Sequence, residues 1–180
     1  MVRAKSRGSR RQEFLRKGLD VLADDGPKSL SAARMARELK LTTGSFYWHF
    51  DSVPQFHDAL RSYWRDTVIV ELVREAKEHA DDDPAKGFAK LRDLIQTRKT
   101  YRYDAAMRNW AKTNPDAERI VEAADAWRRE VIADFIRATG AEEEKTRDRV
   151  NLFAAAWRGS EGMSDTAYRF KLMGLAASKD

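Results

Sequence analysis

Between residues 31 and 50 the chain gathers side chains of the kinds that read a DNA duplex. The run is Ser31-Ala-Ala-Arg-Met-Ala-Arg-Glu-Leu-Lys-Leu-Thr-Thr-Gly-Ser-Phe-Tyr-Trp-His-Phe. Hydroxyl, phenol and imidazole groups can hydrogen-bond base edges and phosphate oxygens, and guanidinium and ammonium groups neutralise phosphates. Catalytic chemistry has much less to work with. The three histidines, His49, His57 and His79, lack metal-ligand spacing, and the phosphate-binding and nucleophile motifs GxGxxG, GxxxxGK[ST] and GxSxG are absent. There is no cysteine, hence no thiolate nucleophile and no thiolate zinc site. A non-enzyme without metal or cofactor is the expectation.

The elements that must position these groups follow from hydrophobic periodicity. No stretch alternates with period two for long enough to be a strand, so the expected fold is all-α with about nine helices. Helix 1 is expected from Arg10 to Asp24, with Phe14, Leu15, Leu19 and Leu22 inward. The second helix starts behind Ser31 as N-cap and runs to Lys40. A short third helix, Thr43 to His49, is capped by Thr42. Met35, Leu39, Leu41, Phe46 and Phe50 are spaced to face helix 1, which leaves Thr43, Gly44, Ser45, Tyr47, Trp48 and His49 outward. Two helices joined by so short a turn make a helix-turn-helix, whose second member enters the major groove. Arg10, Arg11, Arg34, Arg37 and Lys40 flank it and can meet phosphates. A fourth helix opens on the capping box Ser52-Val53-Pro54-Gln55 and continues to His79, its face formed by Phe56, Leu60, Tyr63, Val70 and Val73. Further helices are expected over 85–100, 104–112, 115–139, 142–159 and 164–176.

Charge points the same way. The chain of 180 residues carries a net charge of +5, and residues 1–53 hold 11 Lys and Arg against 6 Asp and Glu. The whole excess therefore lies in the first third, as in a polyanion-binding module joined to a neutral body. Residues 1–9 read equally well as a basic tail. The longest apolar run, Leu152–Trp157, is far short of the roughly 20 residues that span a bilayer, and no signal-peptide pattern follows the N-terminus. A reducing cytoplasmic setting without a membrane is expected.

The Thr-Thr-Gly-Ser-Phe-Tyr-Trp-His-Phe run and the altered Leu22-Ala23-Asp24-Asp25-Gly26 end of helix 1 resemble the DNA-binding domain of the tetracycline-repressor (TetR) family over residues 10 to about 60. The resemblance implies residues 1–53 as helix-turn-helix domain and 54–180 as regulatory and dimerisation domain. It further implies a homodimer on a palindromic double-stranded DNA operator, released by a small-molecule inducer. By position, Thr43, Gly44 and Ser45 would face bases, Tyr47 and His49 would contact phosphates or base edges, and Thr42 would lie beside the backbone. Arg11, Ser31, Arg34, Lys40 and Trp48 complete the implied interface. Tyr47, Trp48 and His49 can also be read as packing residues. Two departures stand out: Lys40 occupies the turn position where the family usually has glycine, and Val53 replaces a common basic residue.

In the body, Tyr101, Met107, Arg108, Trp110, Trp127 and Phe135 are what the resemblance implies for an inducer pocket; an ordinary aromatic core is the other reading. Phe153, Trp157, Tyr168, Leu172 and Met173, interspersed with small residues, are the implied dimer face, with an intramolecular helix pair as alternative. A regulator controlled by a protein partner, or one acting architecturally, is the rival to small-molecule control.

Overall fold

The computed structural model describes residues 7–80, 83–138 and 140–159. Among them the chain forms nine α-helices and no strand, so the all-α expectation holds. They are α1 (Arg7–Asp25), α2 (Ala32–Glu38), α3 (Thr43–Tyr47), α4 (Val53–Tyr63), α5 (Glu71–Glu78), α6 (Pro84–Thr97), α7 (Tyr101–Ala111), α8 (Pro115–Arg137) and α9 (Glu143–Gly159). Arg7–Ser9, expected in the basic tail, belong to α1. The helix expected over 164–176 lies outside the described residues. Pro84 and Pro115 open their helices and Pro54 sits in the first turn of α4, where a missing N–H costs no helical bond.

The expected fourth helix is not one continuous α-helix. Trp64–Val70 is π-helical and separates α4 from α5. A π turn accommodates an extra residue and rotates everything beyond it. The buried positions show the shift: Leu60 and Trp64 are four apart, Trp64 and Ile69 five, and Leu72, Val73 and Ala76 resume the α spacing. Val70, expected inward, is consequently exposed.

The chain divides into two compact units. The first comprises residues up to Val68 together with Tyr101–Val121, a larger body than the segment 1–53 expected to bind DNA. Its centre is the buried face of α1, where Phe14, Leu15, Leu19 and Leu22 are joined by Met35, Phe46, Phe50, Phe56 and Leu60. Leu39 and Leu41 are only half-buried. α1 and α4 approach closely at Gly18, where an added Cβ would lie 2.8 Å from Phe56 Cζ and 3.1 Å from Leu60 Cδ1. α7 is tied to α1 by polar bonds: Tyr103 Oη donates to Asp20 Oδ1 at 2.8 Å, and Arg102 Nη2 to Asp24 Oδ1 at 2.6 Å. Burial first, then the bond to Asp20, pushes the Tyr103 phenol up to about 12.

The second unit comprises Ile69–Thr100 and the chain from Glu122 onward. Leu72, Val73 and Ala76 of α5, Phe88, Leu91, Leu94 and Ile95 of α6, and Val131, Ile132, Phe135 and Ile136 of α8 form its core. Trp127 packs against this cluster.

Two helices end in the same way without glycine. After α2, Lys40 N–H bonds Arg37 O (3.0 Å) and Leu41 N–H bonds Ala36 O (2.9 Å), with Lys40 at φ 55°. After α6, Lys99 N–H bonds Gln96 O and Thr100 N–H bonds Ile95 O, both at 3.2 Å, with Lys99 at φ 51°. This paired 5→2 and 6→1 pattern caps the last carbonyls but needs a left-handed residue, normally glycine. A lysine there carries Cβ strain of about 1 kcal/mol.

Urea unfolding should therefore show Lys40→Gly and Lys99→Gly each stabilising the protein by about 1 kcal/mol. Gly18→Ala should destabilise it by about 1–3 kcal/mol, because the buried Phe56 ring has no room to retreat. A neutral Gly18→Ala would mean that the α1–α4 contact is looser than described.

Candidate nucleic-acid interface

The outward face of α3 is built by caps and by packing. Ser31 Oγ accepts from Arg34 N–H at 3.2 Å and starts α2. The left-handed Lys40 turns the chain, and Thr42 Oγ1 then accepts from Ser45 N–H at 3.3 Å and starts α3. The helix is one and a half turns long, shorter than expected, and ends at Tyr47. It is held from below. Phe46 and Phe50 are fully buried, with ring centroids 5.6 and 6.0 Å from Phe14 and 5.3 and 5.0 Å from Phe56.

With 46 and 50 inward, helical geometry turns 43, 44, 47 and 48 outward. Thr42, Thr43 and Gly44 are exposed, Tyr47 is 50% exposed and Trp48 67%. A tryptophan this open has little packing role in the subunit. Tyr47 makes an edge contact with Phe46, at 5.4 Å. His49 differs: its ring lies half-buried, 5.8 Å from Phe14, and so contributes to packing.

The expected cations are distributed unevenly. Arg11 is exposed and stacks over Phe50 at 5.0 Å. Lys40 is exposed at the turn. Arg34 is held by two carboxylates, Nη2 to Asp25 at 2.8 Å and Nε to Glu38 at 2.9 Å. To meet a phosphate it must exchange one of these partners. At the start of α4, Ser52 Oγ accepts from Gln55 N–H at 3.2 Å, while Gln55 Oε1 accepts from Asp51 N–H at 2.6 Å. The expected capping box is present, with its return bond displaced by one residue.

A group that the sequence reading passed over braces the interface from behind. His57 Nε2–H donates to Leu30 O at 3.0 Å, just ahead of α2. Its ring meets Trp110 edge to face at 5.3 Å. Arg61, one turn along, is buried, stacks over the same indole at 5.1 Å, pairs with Asp58, and lies 3.5 Å from Asp116. Burial is the largest effect on His57 and lowers its pKa; Arg61 acts in the same direction, against the Leu30 bond and Asp58. The four-residue spacing of His57 and Arg61 astride Leu60 was the available sequence signal.

The six residues expected to line one pocket fall into separate units. Tyr101, Met107, Arg108 and Trp110 lie in the first, and Trp127 and Phe135 in the second. Trp110 is engaged by His57 and Arg61, Phe135 belongs to the second unit's core beside Phe88, and buried Arg108 donates through Nε to Asp104 at 2.9 Å. The Arg108 charge is thus already compensated. Of the expected dimer face, Tyr168, Leu172 and Met173 lie outside the described residues, as do the side chains of Phe153 and Trp157. No cluster of potential metal ligands occurs among the described residues, and none of their helices is long and apolar enough to cross a membrane.

No protein-family model matches the chain, and no curated protein matches it. Solved structures do. A TetR transcriptional regulator from Legionella pneumophila superposes with a TM-score of 0.72 at 13% identity, covering 98% of this chain and 97% of that one. A TetR transcription regulator from Haloarcula marismortui gives 0.70 at 17% identity, covering 94% and 95%. A protein from Saccharomonospora viridis, described as a transcriptional regulator and solved in complex with choline, gives 0.71 at 15%, covering 94% of each. At these identities the likeness establishes the fold.

Because His57 is held below its unfolded pKa, the folded state favours the neutral ring. That contribution is complete above about pH 6.5 and is lost as pH falls through the folded pKa. Unfolding measured at about pH 7.5 and about pH 5.5 should show a drop in stability that His57→Gln largely abolishes. An unchanged drop in the variant would mean that His57 is not the responsible group.

Proposed function

We propose that this chain, which has the fold of TetR-type transcriptional regulators, is itself a DNA-binding regulator that acts as a homodimer on a palindromic operator. Repression, relieved by a small molecule, is the mode this reading favours. The observation that carries it is the outward face of α3: Thr43, Gly44, Tyr47 and Trp48 stand exposed on a short helix whose opposite side is locked into an aromatic core. A helix presented in this way can enter a major groove as a rigid body. Thr43 and Ser45 would read base edges, and Gly44 lets the backbone approach. Tyr47 and His49 would contact the phosphates, and Arg11, Lys40 and a released Arg34 would neutralise them.

Small-molecule control is supported more indirectly, by the shared fold and by the choline found in the Saccharomonospora viridis structure. A ligand can release DNA only by preferring the conformation that binds DNA less well. α4 is the proposed connector, since it follows the helix-turn-helix directly and is bonded through His57 to the residue ahead of α2.

Selection of bound fragments from random duplexes should yield a palindrome, with affinity that falls steeply with salt. Thr43→Ala or Ser45→Ala should shift base preference at one or two positions by about 1–3 kcal/mol, whereas Tyr47→Ala should weaken all sequences evenly. Binding indifferent to sequence, or unchanged affinity in all three folded variants, would refute the reading. Trp157→Asp, in the proposed dimer face, should yield a monomer in sedimentation that binds the operator poorly.

A further inference from the structure

His57 joins three parts of the first unit that are distant in the chain. It stands on α4, its Nε2–H donates to Leu30 O ahead of α2, and its ring abuts Trp110 of α7 at 5.3 Å. The bond to Leu30 spans 27 residues and ends beside Ser31, whose side chain caps α2. Any displacement of Leu30 is therefore passed to the start of the helix-turn-helix.

The surroundings of the ring oppose a positive charge on it. Arg61, one turn along α4, is buried over the same indole at 5.1 Å, so a protonated His57 would be a second cation against one aromatic face. Two carboxylates could offset it, Asp58 on α4 and Asp116 at the start of α8, but both are exposed and both are drawn to Arg61. Solvent screens them, whereas the ring itself is half-buried. Of the other elements packed on the ring, the turn ahead of α2 presents the Leu30 carbonyl, and α7 presents Trp110. Arg108, also on α7, is occupied by Asp104. Leu30 and Asp58 favour the proton, but burial and Arg61 outweigh them, and the balance keeps the ring neutral.

We propose that His57 is a proton-operated latch: the neutral ring fastens α4 and α7 to the start of α2, and protonation releases α2 and lowers operator affinity. The open form takes the proton more readily because its ring is hydrated and farther from Arg61, so acid shifts the population toward it. The latch presupposes the DNA-binding role proposed above, and its sign sets it apart from ordinary electrostatics. Acidification by itself strengthens binding to a polyanion, since each histidine that gains a proton adds a cation, and His49 stands at the reading face. The latch predicts the reverse.

The experiment measures affinity for the selected operator duplex at about pH 7.5 and about pH 5.5 at constant ionic strength, on either side of or below the ordinary histidine pKa. Amide hydrogen exchange of the DNA-free full chain is followed at the same two pH values and expressed as protection factors, which removes the intrinsic pH dependence. Wild type should lose about fivefold or more in affinity at the lower pH. His57→Gln, whose side-chain amide can still donate to Leu30 O but does not titrate, should match wild type at the higher pH and keep or gain affinity at the lower. In free wild type, protection at the start of α2 should fall about fivefold or more on acidification, while the α6 and α8 core of the second unit keeps its protection. The fall should be absent in His57→Gln. Wild-type affinity that holds or rises with acid overturns the proposal, as does an equal loss in His57→Gln or unchanged protection of α2. If no duplex is bound at either pH, the DNA-binding role fails, and exchange alone decides the latch: a fall at α2 confined to wild type upholds it, and any other result overturns it.

Discussion

Everything on the outer face of α3 depends on four phenylalanine rings beneath it. Phe14 from α1, Phe46 and Phe50 from α3 and its end, and Phe56 from α4 are all fully buried and meet in five ring contacts, mostly edge to face. Such contacts add about 0.5–1.5 kcal/mol each beyond the burial of the rings themselves. A five-residue helix cannot persist alone, because nucleation is costly and the segment has almost no internal bonds to recover it. α3 is therefore a tertiary object. Its direction, and with it the set of side chains offered to a partner, is decided by which aromatic rings lie inside.

Around this apolar centre the first unit is joined by polar groups that are costly to bury singly. Arg61 is buried against an indole and reaches two exposed aspartates, and Arg108 is buried together with Asp104. A buried charge without its partner typically costs more than the pair gains, so these contacts favour one arrangement of α4 and α7 over its neighbours. The bond from Arg102 to Asp24 acts at the exposed surface of α1, where solvent weakens it, whereas that from Tyr103 to Asp20 is partly buried.

Strain is concentrated where the chain must change direction. Lys40 and Lys99 hold left-handed backbone at helix ends, and the π-helical Trp64–Val70 rephases the helical face on either side of itself. At Lys40 the benefit is visible: a cation stands exposed at the turn beside α3, where a glycine would relieve the strain and remove the charge. Nothing comparable explains Lys99, and the structure offers no reason for a lysine there.

Much was legible in the sequence because it is local. Proline and cap positions located the starts of α2, α3, α4, α6 and α8, and the three-to-four-residue spacing of apolar side chains selected the buried face of α1 and α3. The family resemblance marked Lys40 as a turn position usually held by glycine, and its φ of 55° is what such a position requires. The rest needed contacts between residues far apart. A π turn leaves no mark in composition, and one extra residue in the helix moved Val70 from the expected core to the surface. Trp110 and Phe135 read alike in the sequence, and only the structure shows that one meets His57 and Arg61 while the other meets Phe88 in the core of a separate unit. Arg34 and Arg11 carry the same charge, and only their neighbours separate the arginine tied to Asp25 and Glu38 from the one resting on Phe50. Periodicity tells which side of a helix is buried; it carries no information on what buries it, because that is settled by side chains dozens of residues away competing for the same space and the same charges.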